Sequence, residues 1–189
     1  LVTGATGYIG GRLVPRLLDA SHQVRCLTRR PTHLDQSPWR DRVQVAAGDV
    51  LDPGSLAPAL DGCEVAYYLI HQMASGKGFD SRDRVGAANF RDAAGTAGLR
   101  RVVYLGGLGP DGEALSPHLR SRREVGEVLA SGPTPVTEFR AAVIIGSGSL
   151  SFEMLRYLTE VLPVMTTPRW VRSRCQPIAG RRCNMSIST

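Results

Sequence analysis

The sequence predicts an α/β fold in which a doubly wound parallel sheet carries helices on both faces. The first observation is that short apolar segments of strand length alternate with segments of helical periodicity along most of the chain. The second is that residues 65–70 are apolar without alternation, which is typical of a strand covered on both faces. The third is that residues 1–27 contain a strand, a turn rich in glycine, a helical pattern and a second strand, as one βαβ unit requires.

Strands and helices are predicted to alternate along most of the chain. The strands lie at residues 1–3, 24–27, 43–47, 65–70, 101–105 and within 136–145. The first helix follows from an apolar stripe at helical spacing that starts with Ile9, Leu13 and Leu17. The later helices lie at residues 52–60, around an inner face of Ala87, Phe90, Ala94 and Ala97, at 124–130 and at 152–162. The second and third strands are joined by a polar connection that contains proline, at residues 31–41. The other strands are joined by helical segments, which favours parallel pairing.

The length and composition are those of a single globular domain. With 189 residues, 42% of them hydrophobic and 21% charged, the chain can bury one substantial core. Residues 1–178 are predicted to form this domain. Residues 179–189 are polar and lack amphipathic periodicity, and are predicted to form an irregular tail. Because the chain begins without Met, we expect a few residues to precede Leu1.

The composition favours a cytoplasmic protein with reduced thiols. No apolar run approaches the ~20 residues of a membrane-spanning helix, and no signal-peptide pattern is present. The cysteines Cys26, Cys63, Cys175 and Cys183 share no C-x-x-C spacing, so no metal site is expected. Cys26 lies within an apolar strand pattern and is expected to be a small buried side chain.

The net charge of +6 comes mostly from arginine, and Lys77 is the one lysine. The arginines are scattered, without a basic stripe interleaved with aromatic residues and without a zinc or helix-turn-helix signature. A nucleic-acid partner is therefore not expected. The expected partner is a small-molecule substrate, bound by a monomer or a homodimer.

The most informative motif is the glycine-rich turn after the first strand. Gly4, Gly7 and Gly10 follow the spacing G-x-x-G-x-x-G, with Thr6, Tyr8 and Ile9 between them. Glycine lets the main chain approach a ligand closely, and a helix N-terminus offers N–H groups and the positive end of its dipole to a phosphate. The turn therefore predicts a pyrophosphate site in a Rossmann-like fold. The alternative is a glycine-rich turn that connects a strand to a helix without a ligand.

The chain resembles the atypical, extended short-chain dehydrogenase/reductases, the group of NAD(P)-binding epimerases, dehydratases and NmrA-like proteins. The segments that carry the resemblance are Thr3–Gly10, Gly48–Val50, Tyr67–His71, Tyr104–Gly107 and Phe139–Ala142. The resemblance extends to about Ile178. It implies a Rossmann-like fold and a dinucleotide cofactor. Members of this group usually run longer, with a C-terminal part that closes over the substrate, so here the substrate region is expected to be reduced or truncated.

The residues after the second strand bear on the choice of cofactor. An acidic residue there would accept hydrogen bonds from the adenine-ribose 2′-hydroxyl and would repel a 2′-phosphate. This chain has Arg29 and Arg30 instead, and a guanidinium pairs bidentately with phosphate. The sequence therefore favours NADP(H) over NAD(H). The alternative is that both arginines are solvated loop residues.

Two further segments take cofactor positions by the same resemblance. Asp49 and Val50 occupy the group's adenine-contacting position, with a carboxylate acceptor and an apolar wall. Leu69, Ile70 and His71 end the fourth strand, where the nicotinamide ribose would pass. The alternative for His71 is an ordinary loop histidine without a role in the chemistry.

The usual catalytic residues of the group are replaced. Its chemistry normally needs a Tyr as acid and base, a Lys in the pattern Y-x-x-x-K, and a Ser or Thr after the fifth strand. At these places the chain has His118, Arg122, and Gly106 with Gly107. His118 could exchange protons because imidazole titrates near neutral pH, and Arg122 could hold a ribose hydroxyl or a phosphate. The alternative is that both are surface residues at the start of an arginine-rich helix.

Three functions remain open from the sequence. The leading one is an NADP(H)-binding atypical reductase that transfers hydride to a carbonyl, quinone-like or related small organic substrate. The second is a regulatory protein of the NmrA-like type that senses NAD(P)H without turnover. The third is a relative of sugar-nucleotide epimerases and dehydratases, which is disfavoured because those reactions usually depend on the missing Tyr and Lys. The tyrosines of the strands, Tyr67, Tyr68 and Tyr104, are expected to pack in the core.

Overall fold

The computed structural model describes residues 1–71, 79–109, 115–141, 144 and 146–161. Its strands are β1 (Val2–Thr3), β2 (Arg25–Thr28), β3 (Gln44–Ala47), β4 (Val65–Tyr68), β5 (Arg101–Gly107) and β6 (Val136–Ala141). Its helices are α1 (Tyr8–Asp19), α2 (Pro53–Leu60), α3 (Phe79–Thr96), α4 (Pro117–Ala130) and α5 (Leu150–Val161), with two 3₁₀ turns at Pro31–Leu34 and Arg40–Arg42. The predicted tail at 179–189 lies outside the described residues.

The six strands form one parallel sheet in the order β3-β2-β1-β4-β5-β6. The chain starts at β1 in the middle, moves outward to β3, and then crosses back to β4 on the other side of β1. This order confirms the predicted Rossmann-like fold. A crevice for ligands is expected where the order reverses, at the carboxyl ends of β1 and β4.

Helices cover both faces of the sheet, and each face has its own hydrophobic core. Adjacent residues of β2 point to opposite faces, because Cys26 packs with Val14 of α1 and Leu27 packs with residues of α2, α3 and α4. On the second face Phe90 of α3 meets Tyr68 edge-on, with ring centroids 5.0 Å apart. Cys26 is fully buried, as predicted, and burial raises the pKa of its thiol to about 11.

Helix bounds differ from the sequence prediction in two places. Helix α3 begins at Phe79 and ends at Thr96, so Ala97 lies beyond the helix and is exposed rather than on its inner face. The turn there depends on Gly98, whose φ is +66°. Helix α4 begins at Pro117, well before the predicted segment 124–130, because the side chain of Ser116 accepts a hydrogen bond from the Leu119 N–H at 3.3 Å.

Strand β4 ends at Tyr68, two residues earlier than predicted. The reason is a side-chain hydrogen bond in place of a backbone one, since the Leu69 N–H donates to Oγ1 of Thr3 at 3.0 Å. Residues 69–71 therefore take no part in the pairing between strands and can turn along the edge of the sheet.

Among the helices of the described residues, none is long and apolar enough to span a membrane.

Candidate functional site

A cleft of about 430 Å³ lies at the carboxyl ends of four neighbouring strands, and we call it the carboxyl-edge cleft. Its size is within the range of small-molecule sites. The residues that line it come from the segments after β1, at the end of β2, after β3 and after β4: Gly4, Thr6, Gly7, Leu27, Thr28, Arg29, Gly48, Asp49, Val50, Leu69, Ile70 and His71. The topology predicted a crevice at this place, and nine of the residues are ones that the sequence assigned to a dinucleotide.

The glycine-rich turn is in close backbone contact with its surroundings. Gly4 has φ +68°, and a Cβ on it would lie 2.9 Å from the carbonyl oxygen of Leu69. A Cβ on Gly10 would collide with the carbonyl oxygen of Gly4 and would lie 2.7 Å from the Cα of Ala5. These contacts explain why glycine is needed at both positions. The contacts keep the glycine-rich turn packed closely against its surroundings, and the carboxyl-edge cleft lies directly beside the turn.

Helix α1 begins beside the carboxyl-edge cleft, directly after Gly7, which is one of the residues that line it. Gly7 is the N-cap residue, so no side chain caps the first turn, and no acidic residue lies in that turn. The Gly7 N–H itself donates to the carbonyl oxygen of Gly4 at 2.9 Å. The first-turn N–H groups and the helix dipole therefore suit an anion.

Thr3 connects the glycine-rich turn to the end of β4. Thr3 is completely buried. Its hydroxyl donates a hydrogen bond to the carbonyl oxygen of Tyr67 at 3.1 Å, and its Oγ1 accepts one from the Leu69 N–H. This pair of bonds holds the segment Leu69–His71 beside the turn. This role of Thr3 could not be predicted from the sequence, since one threonine in an apolar strand carries no local signal.

Of the two arginines after β2, only Arg29 is among the lining residues of the carboxyl-edge cleft. Arg30 is exposed, and its backbone N–H donates to the hydroxyl of Thr28 at 3.2 Å. After β3, the strand next to β2, the Asp49 carboxylate accepts from the Leu51 N–H at 3.0 Å, and Val50 is 4% exposed. These residues give the cleft one guanidinium, from Arg29, one carboxylate held by a hydrogen bond, from Asp49, and one apolar side chain, from Val50.

Tyr8, Ile9 and Gly10 are not among the lining residues of the carboxyl-edge cleft. The guanidinium of Arg12 lies 3.7 Å from the centroid of the Tyr8 ring, and the Tyr8 hydroxyl faces Gly146. Side chains of the first helical turn therefore support the fold, and the contribution of these residues to a ligand site would come from their backbone.

Gly106 and Gly107, at the place where the resembling group has Ser or Thr, are the last two residues of β5, which runs two residues further than predicted. A Cβ on Gly107 would lie 2.7 Å from Cδ2 of Leu119 and 3.2 Å from Cδ of Arg122, both on α4, and one on Gly106 would collide with the side chain of Glu138 on β6. A larger side chain at either position would therefore require these neighbouring side chains to move.

The core tyrosines are also unsuited to proton transfer. Tyr68 and Tyr104 are 2% and 3% exposed, and burial raises the pKa of each phenol above its ordinary value. The Tyr104 hydroxyl already donates to the carbonyl oxygen of Arg122 at 2.9 Å. Both tyrosines pack in the core, as predicted.

His71 and His118, which are 47 residues apart in sequence, meet at the end of the carboxyl-edge cleft. Nε2 of His71 lies 3.2 Å from Nδ1 and 3.1 Å from Nε2 of His118, and the rings are 80° apart. On its other side, Nδ1 of His71 lies 3.4 Å from Oδ2 of Asp83. His118 is exposed in the first turn of α4, and its ring contacts that of His71.

His71 is neutral at physiological pH. Burial lowers the pKa of its imidazole to about 4, and the charges of Arg122 and His118 act in the same direction.

Within the described ranges, no group of three or more His, Cys, Asp or Glu side chains could hold a metal ion.

Arg122 lies one helical turn after His118. Its Nε is buried and has no hydrogen-bond partner among the residues that the structure describes. A buried guanidinium N–H without a partner is costly. Arg122 is not among the residues that line the carboxyl-edge cleft.

Comparison with known proteins agrees with this geometry. The family model described as NAD(P)H-binding matches residues 4–156, which is more than half of the chain. The chain belongs to this NAD(P)H-binding family. Membership confirms a dinucleotide of the NAD(P)H type as the cofactor of the family and places the glycine-rich turn within the matched segment.

Individual relatives of this NAD(P)H-binding chain include reductases. It is 30% identical over 172 residues to the ceramide reductase of Caulobacter vibrioides, covering 87% of this chain and 53% of the relative. It is 34% identical over 114 residues to a 3β-hydroxysteroid dehydrogenase/Δ5→4-isomerase of Mycobacterium tuberculosis, covering 55% of this chain and 30% of the relative. The chain thus spans between about a third and about half of the length of these curated relatives.

Solved structures of similar fold also include reductases. The triphenylmethane reductase of Citrobacter, complexed with NADP(H), superposes with a TM-score of 0.68 at 26% identity, covering 84% of this chain and 54% of the other. The quinone oxidoreductase QOR2 of Escherichia coli, complexed with NADPH, gives 0.62 at 25% identity, covering 74% and 47%. These neighbours confirm an NAD(P)H-binding fold of the reductase type.

Proposed function

We propose that this chain is an NADP(H)-binding reductase that transfers hydride to a carbonyl, quinone-like or related small organic substrate. The observation that carries the proposal is the carboxyl-edge cleft, in which Arg29, the glycine-rich turn and His71 follow one another at the ends of the neighbouring strands β2, β1 and β4. Similarity to reductases that bind NADP(H) supports the same conclusion.

The residues of the cleft fit a phosphorylated dinucleotide. The glycine-rich turn and the N–H groups of α1 would hold the pyrophosphate, Arg29 the 2′-phosphate, and Asp49 with Val50 the adenine. Leu69, Ile70 and His71 would pass beside the nicotinamide ribose. Arg122, with its buried Nε, would hold a ribose hydroxyl or a phosphate oxygen.

His118 is proposed as the acid of the reaction. The reduced nicotinamide supplies a hydride when it is bound. As the substrate carbon accepts that hydride, the electron pair of the C=O bond moves to oxygen, and protonated His118 donates a proton to this oxygen. His118 is left neutral and regains its proton from water.

Replacing Arg29 tests the preference for NADP(H). Arg29→Ala should weaken NADPH binding roughly tenfold and leave NADH binding unchanged, because a charge-assisted bond contributes about 1.5–3 kcal/mol. Arg30→Ala is the matched control, since Arg30 is adjacent but not among the lining residues. Calorimetric titration of both variants with both nucleotides measures the effect. An undiminished NADPH preference in Arg29→Ala would remove Arg29 from the 2′-phosphate site.

A substrate panel tests the reductase proposal itself. NADPH oxidation is followed by absorbance with quinones, aldehydes and ketones, and we expect turnover with at least one of these classes. The alternative function is NAD(P)H sensing without turnover. It is favoured by one specific observation, that the position of the usual Ser or Thr is taken by Gly106 and Gly107, with the side chain of Leu119 packed close to Gly107. Tight NADPH binding with no oxidation across the panel would overturn the reductase and support the sensor.

The remaining expectations also stand as proposals. We propose a cytoplasmic location, a small-molecule substrate without a nucleic-acid partner, and a monomer or homodimer. Size-exclusion chromatography with light scattering measures the oligomeric state.

A further inference from the structure

Residues 48–50, which line the carboxyl-edge cleft after β3, are held by side chains from two helices. From α2, the hydroxyl oxygen of Ser55 accepts from the Asp49 N–H at 3.0 Å, and the hydroxyl donates to the carbonyl oxygen of the same residue at 3.0 Å. From α3, Nδ2 of Asn89 donates to the carbonyl oxygen of Val50 at 2.9 Å. Two consecutive residues of the cleft are therefore fixed by hydrogen bonds from side chains on separate helices.

The bond from Asn89 fixes the peptide that holds the Asp49 carboxylate. The carbonyl group of Val50 and the N–H of Leu51 belong to one planar trans peptide, so they point in opposite directions. The carbonyl oxygen accepts from Asn89, and the N–H donates to Oδ1 of Asp49 at 3.0 Å. Without the Asn89 bond this peptide could rotate, and the N–H that orients the carboxylate would move with it.

Helix α3 approaches these residues closely because residue 86 is glycine. A Cβ on Gly86 would lie 2.9 Å from Cγ2 of Val50, whose side chain is buried. Asn89 follows Gly86 by three residues, so both lie on the same face of α3. The side chain of Val50 and its carbonyl oxygen are thus both in contact with this face of the helix.

Asp49 has one carboxylate oxygen available for a ligand. Its Oδ1 accepts from the Leu51 N–H, and no donor among the described residues is hydrogen-bonded to its Oδ2. Because a carboxylate only accepts hydrogen bonds, a ligand group that binds to it in the cleft must be a donor. The exocyclic amino group of adenine is such a donor. Hypoxanthine has a carbonyl oxygen at the same ring position, which would face the carboxylate unfavourably.

We propose that Asn89 is a positioning residue that orients the Asp49 carboxylate, and thereby makes the carboxyl-edge cleft selective for adenine over hypoxanthine dinucleotides. The proposal rests on the proposed NADP(H) site, because it concerns the adenine end of that site. Asn89 is not itself among the residues that line the cleft. It acts through the peptide between Val50 and Leu51, while Ser55 holds the backbone of Asp49.

Two dinucleotides that differ only in the base measure this selectivity without any turnover. Calorimetric titration of the wild-type protein with NADPH and with reduced nicotinamide hypoxanthine dinucleotide phosphate gives both dissociation constants. We expect NADPH to bind about tenfold more tightly or better, because the analogue loses a hydrogen bond to a charged group. Equal dissociation constants would overturn the selectivity and leave the NADP(H) site standing, whereas binding of neither dinucleotide would overturn both.

Replacing Asn89 separates positioning from a merely structural role. Asn89→Leu is similar in size but has no donor, so the ratio of the two dissociation constants should fall toward one. The matched control is Thr96→Val on the same helix, which removes a hydroxyl that donates to the carbonyl oxygen of Asp92 and should keep the wild-type ratio. If Asn89→Leu does not fold, Asn89→Ala, which adds no bulk, takes its place. Equal weakening of both dinucleotides, with the ratio unchanged, would indicate a structural role and overturn the proposal.

A double-mutant cycle tests the route through Asp49. Asp49→Ala removes the acceptor and should bring the ratio of the two dissociation constants close to one. Adding Asn89→Leu to this variant should then leave the ratio unchanged, because Asn89 acts on the base only through the carboxylate. A ratio that Asn89→Leu still changes in the Asp49→Ala background would overturn this route.

Discussion

Replacing His118 with glutamine should lower kcat for NADPH-dependent reduction by about 10²–10⁴, because the variant keeps a polar side chain but cannot donate a proton to the substrate oxygen. NADPH affinity should stay the same, since His118 is not among the residues that line the carboxyl-edge cleft. The pH dependence should change too. In the wild-type protein the rate falls as His118 loses its proton, and in His118→Gln this decline should disappear.

A matched control is available in the same chain. His22 is exposed and remote from the cleft, so His22→Gln makes the same chemical change without touching the site. Steady-state kinetics of both variants over a range of pH, with thermal unfolding as a check on folding, measures the difference. Unchanged kcat in His118→Gln would remove His118 from the chemistry.

The second large effect concerns the glycine-rich turn. Gly10→Ala should weaken NADPH binding about a hundredfold and lower the free energy of unfolding by about 1–3 kcal/mol, the usual cost of an overpacked site. The added Cβ would collide with the carbonyl oxygen of Gly4 and approach the Cα of Ala5, and neither backbone atom can move without moving the turn.

Gly11→Ala is its matched control. The neighbouring glycine lies in the same helix, but a Cβ on it would meet only the carbonyl oxygen of Ala5 at 3.5 Å, an ordinary contact. Because alanine favours a helix interior over glycine by roughly 1 kcal/mol, this variant should be as stable as the wild type or more stable. Titration calorimetry and chemical denaturation measure both effects. Equal NADPH affinity in the two variants would contradict the proposed place of the turn.

The parallel sheet could be predicted from the sequence because its signals are local. Apolar strands, helical stripes and the glycine-rich turn each lie within a short window, and together they allow few topologies. The turn also predicted where the cleft would be. In helix α4 the apolar pattern indicated only the second half, whereas the helix start at residue 117 depends on the capping residue Ser116 and on Pro117.

The meeting of His71 and His118 could not be predicted in this way. They are 47 residues apart, and their contact depends on how α4 packs beside the end of β4. Asp83 was missed for a related reason. An aspartate in a polar stretch of a helix is usually exposed, and its burial follows from the packing of α3 against α4. The clash that α4 imposes at Gly107 is likewise a tertiary feature.

The central claim is that the carboxyl-edge cleft holds NADPH, and titration of the wild-type protein with NADPH and NADH tests it most directly. Calorimetry gives both dissociation constants, and thermal unfolding gives the accompanying stabilisation. The account predicts one-site binding, tighter for NADPH than for NADH, with a gain of ~2.7 kcal/mol in the free energy of unfolding at a hundredfold excess over Kd. Absence of binding by either nucleotide to the folded protein would contradict it.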